Sequence, residues 1–176
     1  MFREMRRKKQ LLSQEESLMV LKAGTHGVLA VSGDDGYPYA VPLSYVYDQG
    51  KIYFHCARTG HKLDALARSA KVSFCVVAQD KIVPEEYTTY FKSVIIFGTA
   101  RRLDAPEEKR AALLTLAAKY SPQDEAGCQA EVDKQLPYVC LVEITIDHLS
   151  GKESIELTRA RNSSASAPKE AEHGLD

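Results

Sequence analysis

The stretch Gly36 to Asp64 reads GYPYAVPLSYVYDQGKIYFHCARTGHKLD, and its alternation decides the fold. Tyr39, Val41, Leu43, Tyr45 and Tyr47 fall on odd positions and share one face of an extended segment, because side chains alternate sides along a strand. Asp48-Gln49-Gly50 supplies turn chemistry. Ile52, Phe54 and Cys56 then alternate with Lys51, Tyr53 and His55 in a second strand. Thr59-Gly60-His61-Lys62 breaks the alternation, and Leu63, Leu66 and Ala67 continue at helical spacing.

Working outward, HGVLAVS (His26 to Ser32) is a β-prone run that ends on the turn residues Gly33-Asp34-Asp35-Gly36. Before it, Ser13 with Glu16 forms a capping-box pattern for a helix over about 13–23. Downstream, VSFCVV (Val72 to Val77) and TTYFKSVIIFGTARRL (Thr88 to Leu103) read as strands. Pro106 and Glu107 open a helix to about Tyr120, and residues 121–136 read as a loop with a short helix. From Val139 to His148, Cys140, Val142, Ile144 and Ile146 oppose Glu143, Thr145 and Asp147, the pattern of a half-buried closing strand. Strands outnumber helices and come as hairpins, which points to an antiparallel barrel or sandwich with accessory helices. The expected organisation is a basic arm over 1–12, one domain over 13–158, and from Arg159 a tail over 159–176 with too little apolar surface to order itself.

With 23 Lys plus Arg against 24 Asp plus Glu, the chain carries no net field to recruit nucleic acid or membrane. The basic residues Arg3 to Lys9 read as a solvated arm. No apolar run has the length to span a bilayer, and the start lacks the pattern of a signal peptide, so a cytoplasmic location is expected. Cys56, Cys75, Cys128 and Cys140 form no CxxC pair and read as buried thiols of a reducing compartment. His55, Cys56 and His61 do not make a metal site, since Cys56 alternates away from His55 and no fourth ligand has suitable spacing. GxSxG, GxGxxG and GxxxxGK[ST] are all missing, which removes the usual elbow, Rossmann and P-loop sites.

What remains is the start of the helix at Gly60. Backbone N–H groups, a helix dipole and the Lys62 cation converge there, the arrangement that binds phosphate. The same residues also fit an ordinary helix start with an exposed lysine. The tyrosines Tyr37, Tyr39, Tyr45, Tyr47 and Tyr53 either pack across neighbouring strands or line a planar ligand.

Taken as an ordered set, Met5-Arg6-Arg7-Lys8, GYPYAVPLSYVY (36–47), GKIYFHCARTGHKLD (50–64), KVSFCVV (71–77), YTTYFKSVIIFGTA (87–100) and HLSGKESIE (148–156) resemble the pyridoxamine 5′-phosphate oxidase-like FMN-binding proteins. The likeness is to their 5-nitroimidazole reductase branch. It implies a mainly β fold, a six-stranded antiparallel split β-barrel, paired as a homodimer with FMN at the interface. Gly60, His61 and Lys62 would meet the phosphate. Ala40, Val41, Pro42 and Leu43 would run beside the flavin ring, with His55 and Cys56 along the same cofactor. Tyr90, Ser93 and Val94 would come from the partner subunit. The implied chemistry passes electrons from NADH or NADPH to a small-molecule acceptor, such as a nitroaromatic compound, with His61 the one weak candidate for a proton donor. The resemblance leaves two other readings open: a flavin-binding or sensing protein without turnover, and a haem-binding relative using His26, His55 or His148. The part played by residues 78–90 has no assignment from sequence.

Overall fold

The computed structural model describes residues 1–165. Helix α1 (Gln14–Ala23) starts on the expected capping box: Glu16 N–H donates to Ser13 Oγ at 3.1 Å and Ser13 N–H donates to Glu16 Oε2 at 2.8 Å. The strands are β1 (His26–Ser32), β2 (Pro38–Ser44), β3 (Val46–Asp48), β4 (Lys51–Ala57), β5 (Lys71–Val83), β6 (Thr88–Arg102) and β7 (Val139–Glu153). Helix α2 (His61–Arg68) joins β4 to β5, while α3 (Pro106–Tyr120) and α4 (Glu125–Gln135) form a hairpin between β6 and β7. A last helix, α5 (Ile155–Ala165), follows β7.

All seven strands make one antiparallel sheet in the order β2-β1-β5-β6-β7-β4-β3. Its two edge strands, β2 and β3, are separated in sequence by Tyr45 alone, so the sheet must curl until its edges meet. That is a barrel, and with β2 and β3 taken as one strand bent at Tyr45 it has the six strands expected of the split barrel. The corner is pinned. Tyr45 is fully buried, its hydroxyl donates to Leu21 O at 2.6 Å, its N–H donates to Tyr120 Oη at 3.0 Å, and Lys119 Nζ donates to its carbonyl at 2.9 Å.

Inside the barrel, Leu29, Ile52, Phe54, Phe74, Val76, Ile96 and Val142 form the main core, closed by Leu21 of α1 and Ala65 of α2. A second cluster, with Val46, Leu103, Leu113, Leu116 and Leu141, lies between the α3–α4 hairpin and the outer side of β3, β4 and β7. That second layer corrects the reading of β7 as half-buried. Leu141 and Glu143 lie on its outer side and are buried too, Glu143 by ion pairs from Arg101 (2.8 Å) and Lys51 (2.9 Å).

β5 and β6 run beyond the barrel as a long hairpin whose tip holds residues 78–90, with a register shift between Val77 and Gln79. A second shift, between Phe97 and Gly98, leaves Asp147 as the extra residue of β7; a Cβ at Gly98 would sit 2.5 Å from Thr145 O, so the strands can approach there only at glycine. At the amino end, Leu11 bridges to Lys152 and Leu12 is buried, so part of the expected arm is packed on β7. At the other end α5 crosses the expected boundary at 158/159, and residues 159–165 are helical rather than irregular. Polar contacts replace the missing apolar ones: Thr158 is buried, and Arg161 pairs with the buried Glu153 at 2.8 Å and with Glu16 at 3.1 Å. The remainder of the expected tail, 166–176, lies outside the described residues.

Candidate functional site

β4 ends at Ala57, and the chain turns through Arg58-Thr59-Gly60 into α2. Gly60 has φ +129°, and its missing Cβ would point into open space, so the position requires glycine for backbone reasons alone. No side chain caps the helix; Leu63 and Asp64 N–H bond back to Gly60 O at 2.9 and 3.2 Å, leaving the His61 and Lys62 N–H groups without intrahelical acceptors. α1 and α4, by contrast, are capped by Ser13 and Asp124. Lys62 forms no ion pair among the described residues. Free donors, the positive end of a helix and an unneutralised ammonium suit an oxyanion such as a phosphate.

The imidazole of His61 is turned away from that function. Its ring stacks on Tyr39 with centroids 4.1 Å apart, and Nε2 lies 3.4 Å from Oδ2 of Asp34, whose other carboxylate oxygen pairs with Arg68. His61 therefore offers an anion its backbone N–H. The same stack fixes the start of α2 beside β2, bringing together two of the segments expected around one cofactor.

Alternation splits each expected run of site residues in half. In β2, Ala40 and Pro42 are exposed on the outer side, while Val41 and Leu43 pack against the barrel core. In β4, His55 faces outward and Cys56 inward, where burial pushes its thiol up to about 11. The two side chains cannot line one surface of a single ligand. In β6, Ser93 is half-buried on the outer side, Tyr90 donates its hydroxyl to Glu86 Oε2 at 2.8 Å, and Val94 is wholly inside the barrel. The Val94 side chain is thus unavailable to a partner subunit, a correction that follows from its place opposite Val76 in the core. β1 and β5 separate β6 from β2.

Two features had not been read from the sequence. A cavity of about 650 Å³ lies between the α3–α4 hairpin and the outer side of the barrel, lined by Ser44, His55, Leu116, Tyr120, Glu131 and Val132 among others. Ser44 was within reach of the alternation argument, being two residues past Pro42 on the same face; the helical wall was not. The second feature is the outer surface of β1, β5 and β6, where Val28 opposes Cys75 and Cys75 opposes Ile95. Val28, Val77, Ile95 and Phe97 are 37–54% exposed there, an apolar patch on a sheet face. Phe2 stacks over its margin on Phe97 and His148 at 5.5 and 4.7 Å. Among the described residues no three His, Cys, Asp or Glu side chains gather as a metal site, and no helix is long and apolar enough to cross a membrane.

An antiparallel sheet curled into a barrel, with an uncapped, lysine-bearing helix start on its rim, defines a class, the split barrels. Within it this chain belongs to the pyridoxamine 5′-phosphate oxidase family, whose sequence pattern matches residues 13–153. No curated protein matches the chain. Among solved structures it is similar to a candidate 5-nitroimidazole antibiotic resistance protein from Bacteroides thetaiotaomicron, at 19% identity over 81% of this chain and 86% of that one, TM-score 0.70. It is also similar to a FAD-binding protein from Mesorhizobium loti, at 26% identity over 82% and 97%, TM-score 0.61. A FAD- and haem-binding protein from Mycobacterium smegmatis shares 23% identity over 95% and 91%, TM-score 0.71.

Proposed function

We propose that the protein is an FMN-dependent oxidoreductase that works as a homodimer and passes electrons from NADH or NADPH to a small acceptor such as a nitroaromatic compound. The observation that carries this reading is the start of α2: glycine-hinged, uncapped, bearing Lys62, and held against β2 by the Tyr39–His61 stack. The residues fit the phosphate end of a flavin mononucleotide. His61 and Lys62 N–H groups and the Lys62 ammonium take the phosphate, and Ala40 and Pro42 offer a flat apolar strip for the ring. Bound flavin would supply hydride and electron transfer.

The cavity beside Ser44 and His55 opens from the same face of β2 and suits the acceptor, its volume lying in the range of small-molecule pockets. The apolar patch of Val28, Val77, Ile95 and Phe97 supports pairing with a second copy, which would bring Ser93 of the partner subunit to the flavin. Two of the similar solved structures are of FAD-binding proteins, one of which also binds haem, so the identity of the released molecule is part of the test.

The absorbance spectrum of the purified protein, with mass identification of what heat releases, is the direct experiment. FMN near one per chain is the expected result; FAD would correct the cofactor, a Soret band would replace it with haem, and a protein that ignores added flavin would refute the proposal. Steady turnover of NADH or NADPH with a nitroaromatic under anaerobic conditions separates the enzyme from a flavin-binding protein without turnover. Lys62→Glu should weaken flavin binding by roughly tenfold to a hundredfold, the size of one charge-assisted hydrogen bond to phosphate. Unchanged retention would remove α2 from the site.

A further inference from the structure

Cys56 and Cys140 stand directly opposite each other in the antiparallel register of β4 and β7. Residues so opposed have Cα atoms about 4.5–5.5 Å apart, inside the roughly 4.4–6.8 Å that a disulfide spans. Both side chains point into the barrel core, and the Cys140 thiol donates to the carbonyl of its neighbour Leu141 at 3.8 Å. Neither of the other cysteines has such a neighbour: Cys75 faces Val28 and Ile95 across its strand pairs, and Cys128 on α4 bonds to Ser121 O at 3.5 Å.

We infer that Cys56 and Cys140 are a redox-active dithiol that closes into a cross-strand disulfide by exchange with a small external disulfide. The two thiols differ in access. Cys140 is 2% exposed, whereas Cys56 is half-buried one residue from the exposed end of β4, with Lys62 close enough to act on its charge. Cys56 is therefore the attacking group and Cys140 the resolving one. Cys56 loses its proton and attacks one sulfur of the external disulfide, and the other sulfur leaves as a thiolate and takes up a proton. Cys140 then loses its proton and attacks Cys56 Sγ, expelling the second thiol. Two protein S–H bonds and one external S–S bond become one protein S–S bond and two free thiols. Bound flavin is not required.

Closure ties the exit of β4, where α2 begins, to the first residues of β7. It is slow at neutral pH, since burial keeps Cys56 protonated, and accelerates about tenfold per pH unit between pH 7 and 9 as the thiolate fraction rises. The neighbouring thiol Cys140 opposes that ionisation, and the cations Lys62 and Arg102 favour it.

The test uses the full-length purified protein, incubated with oxidised glutathione at about pH 8.5, then unfolded, alkylated and mapped by mass spectrometry. The expected product is a Cys56–Cys140 linked peptide, two of the four cysteines alkylated, and full reversal by dithiothreitol. Cys140→Ser should instead hold glutathione stably on Cys56, and Cys75→Ser should close like the unaltered chain. Four alkylated cysteines after prolonged incubation, a glutathione adduct on Cys56 that persists in the unaltered chain, or a link that uses Cys75 or Cys128 would each overturn the inference.

Discussion

Replacing Tyr45 by phenylalanine removes one oxygen from the point where the barrel closes. The ring, its edge contact with Phe74 at 5.0 Å and its face toward Lys119 at 4.2 Å all remain, so no cavity opens. What is lost is the 2.6 Å hydrogen bond to Leu21 O. That carbonyl lies in the last turn of α1 and has no backbone N–H partner, since the chain turns extended at Gly24 and Thr25 N–H does not bond back to it. A hydrogen bond is worth about 1 kcal/mol, but a buried acceptor left unpaired costs about 1–3 kcal/mol, and the second figure governs. The expected loss is about 2 kcal/mol, or about 4–8 °C in Tm for a chain of this size. Urea unfolding followed by far-UV circular dichroism, at one protein and flavin concentration, measures it; the slope with urea should not change. A Tm within about 1 °C of the parent would mean that water already reaches the Leu21 carbonyl and that Tyr45 does not pin the corner.

Two further outcomes follow from other parts of the molecule. Ile95→Asp sets a carboxylate in the middle of the apolar patch and should convert the proposed homodimer to a monomer on gel filtration with attached light scattering; a dimeric mass unchanged by the substitution would place the interface elsewhere. Burial pushes the Glu143 carboxyl up, yet hydrogen bonds from Arg101 and Lys51 outweigh it and hold the group below its ordinary value of 4.5. A carboxyl depressed in the folded state stabilises fully above its unfolded pKa, and that stabilisation disappears as pH falls through the folded value. Glu143→Gln should therefore lower Tm at pH 7 and converge on the parent well below pH 4.5, checked by melts across that range; a constant difference at every pH would show that the charge is not involved.

Local signals in the sequence carried far, and long-range ones did not. The bounds of β1 and β4, the capping box of α1 and the break at Gly60 were legible because each rests on residues within a turn of one another. The outward extension of β5 to Val83 was not, since Asp80 and Lys81 lie in a hairpin tip exposed on both sides and have no burial pattern to betray a strand. Helix α5 was missed because its anchor is ionic and distant in sequence, Arg161 reaching Glu153 and Glu16. At the site, Gly60 and Lys62 could be found from composition at a helix start. Which half of each strand faces outward needed only alternation, whereas the Tyr39–His61 stack and the Cys56–Cys140 register depend on pairings that no local pattern encodes.

Strand β2 is an edge of the sheet and carries Pro38 and Pro42, paired on its inner side with Ser32 and Val28. Neither proline has an N–H to give, so the free side of the strand presents an interrupted row of donors. The opposite edge, β3, is three residues long. A stray extended segment, from another protein or from a misfolded copy of this one, would find no continuous ladder to extend on either margin. The chain thus protects both margins of its curled sheet against amyloid-like growth, by proline on one edge and by shortness on the other.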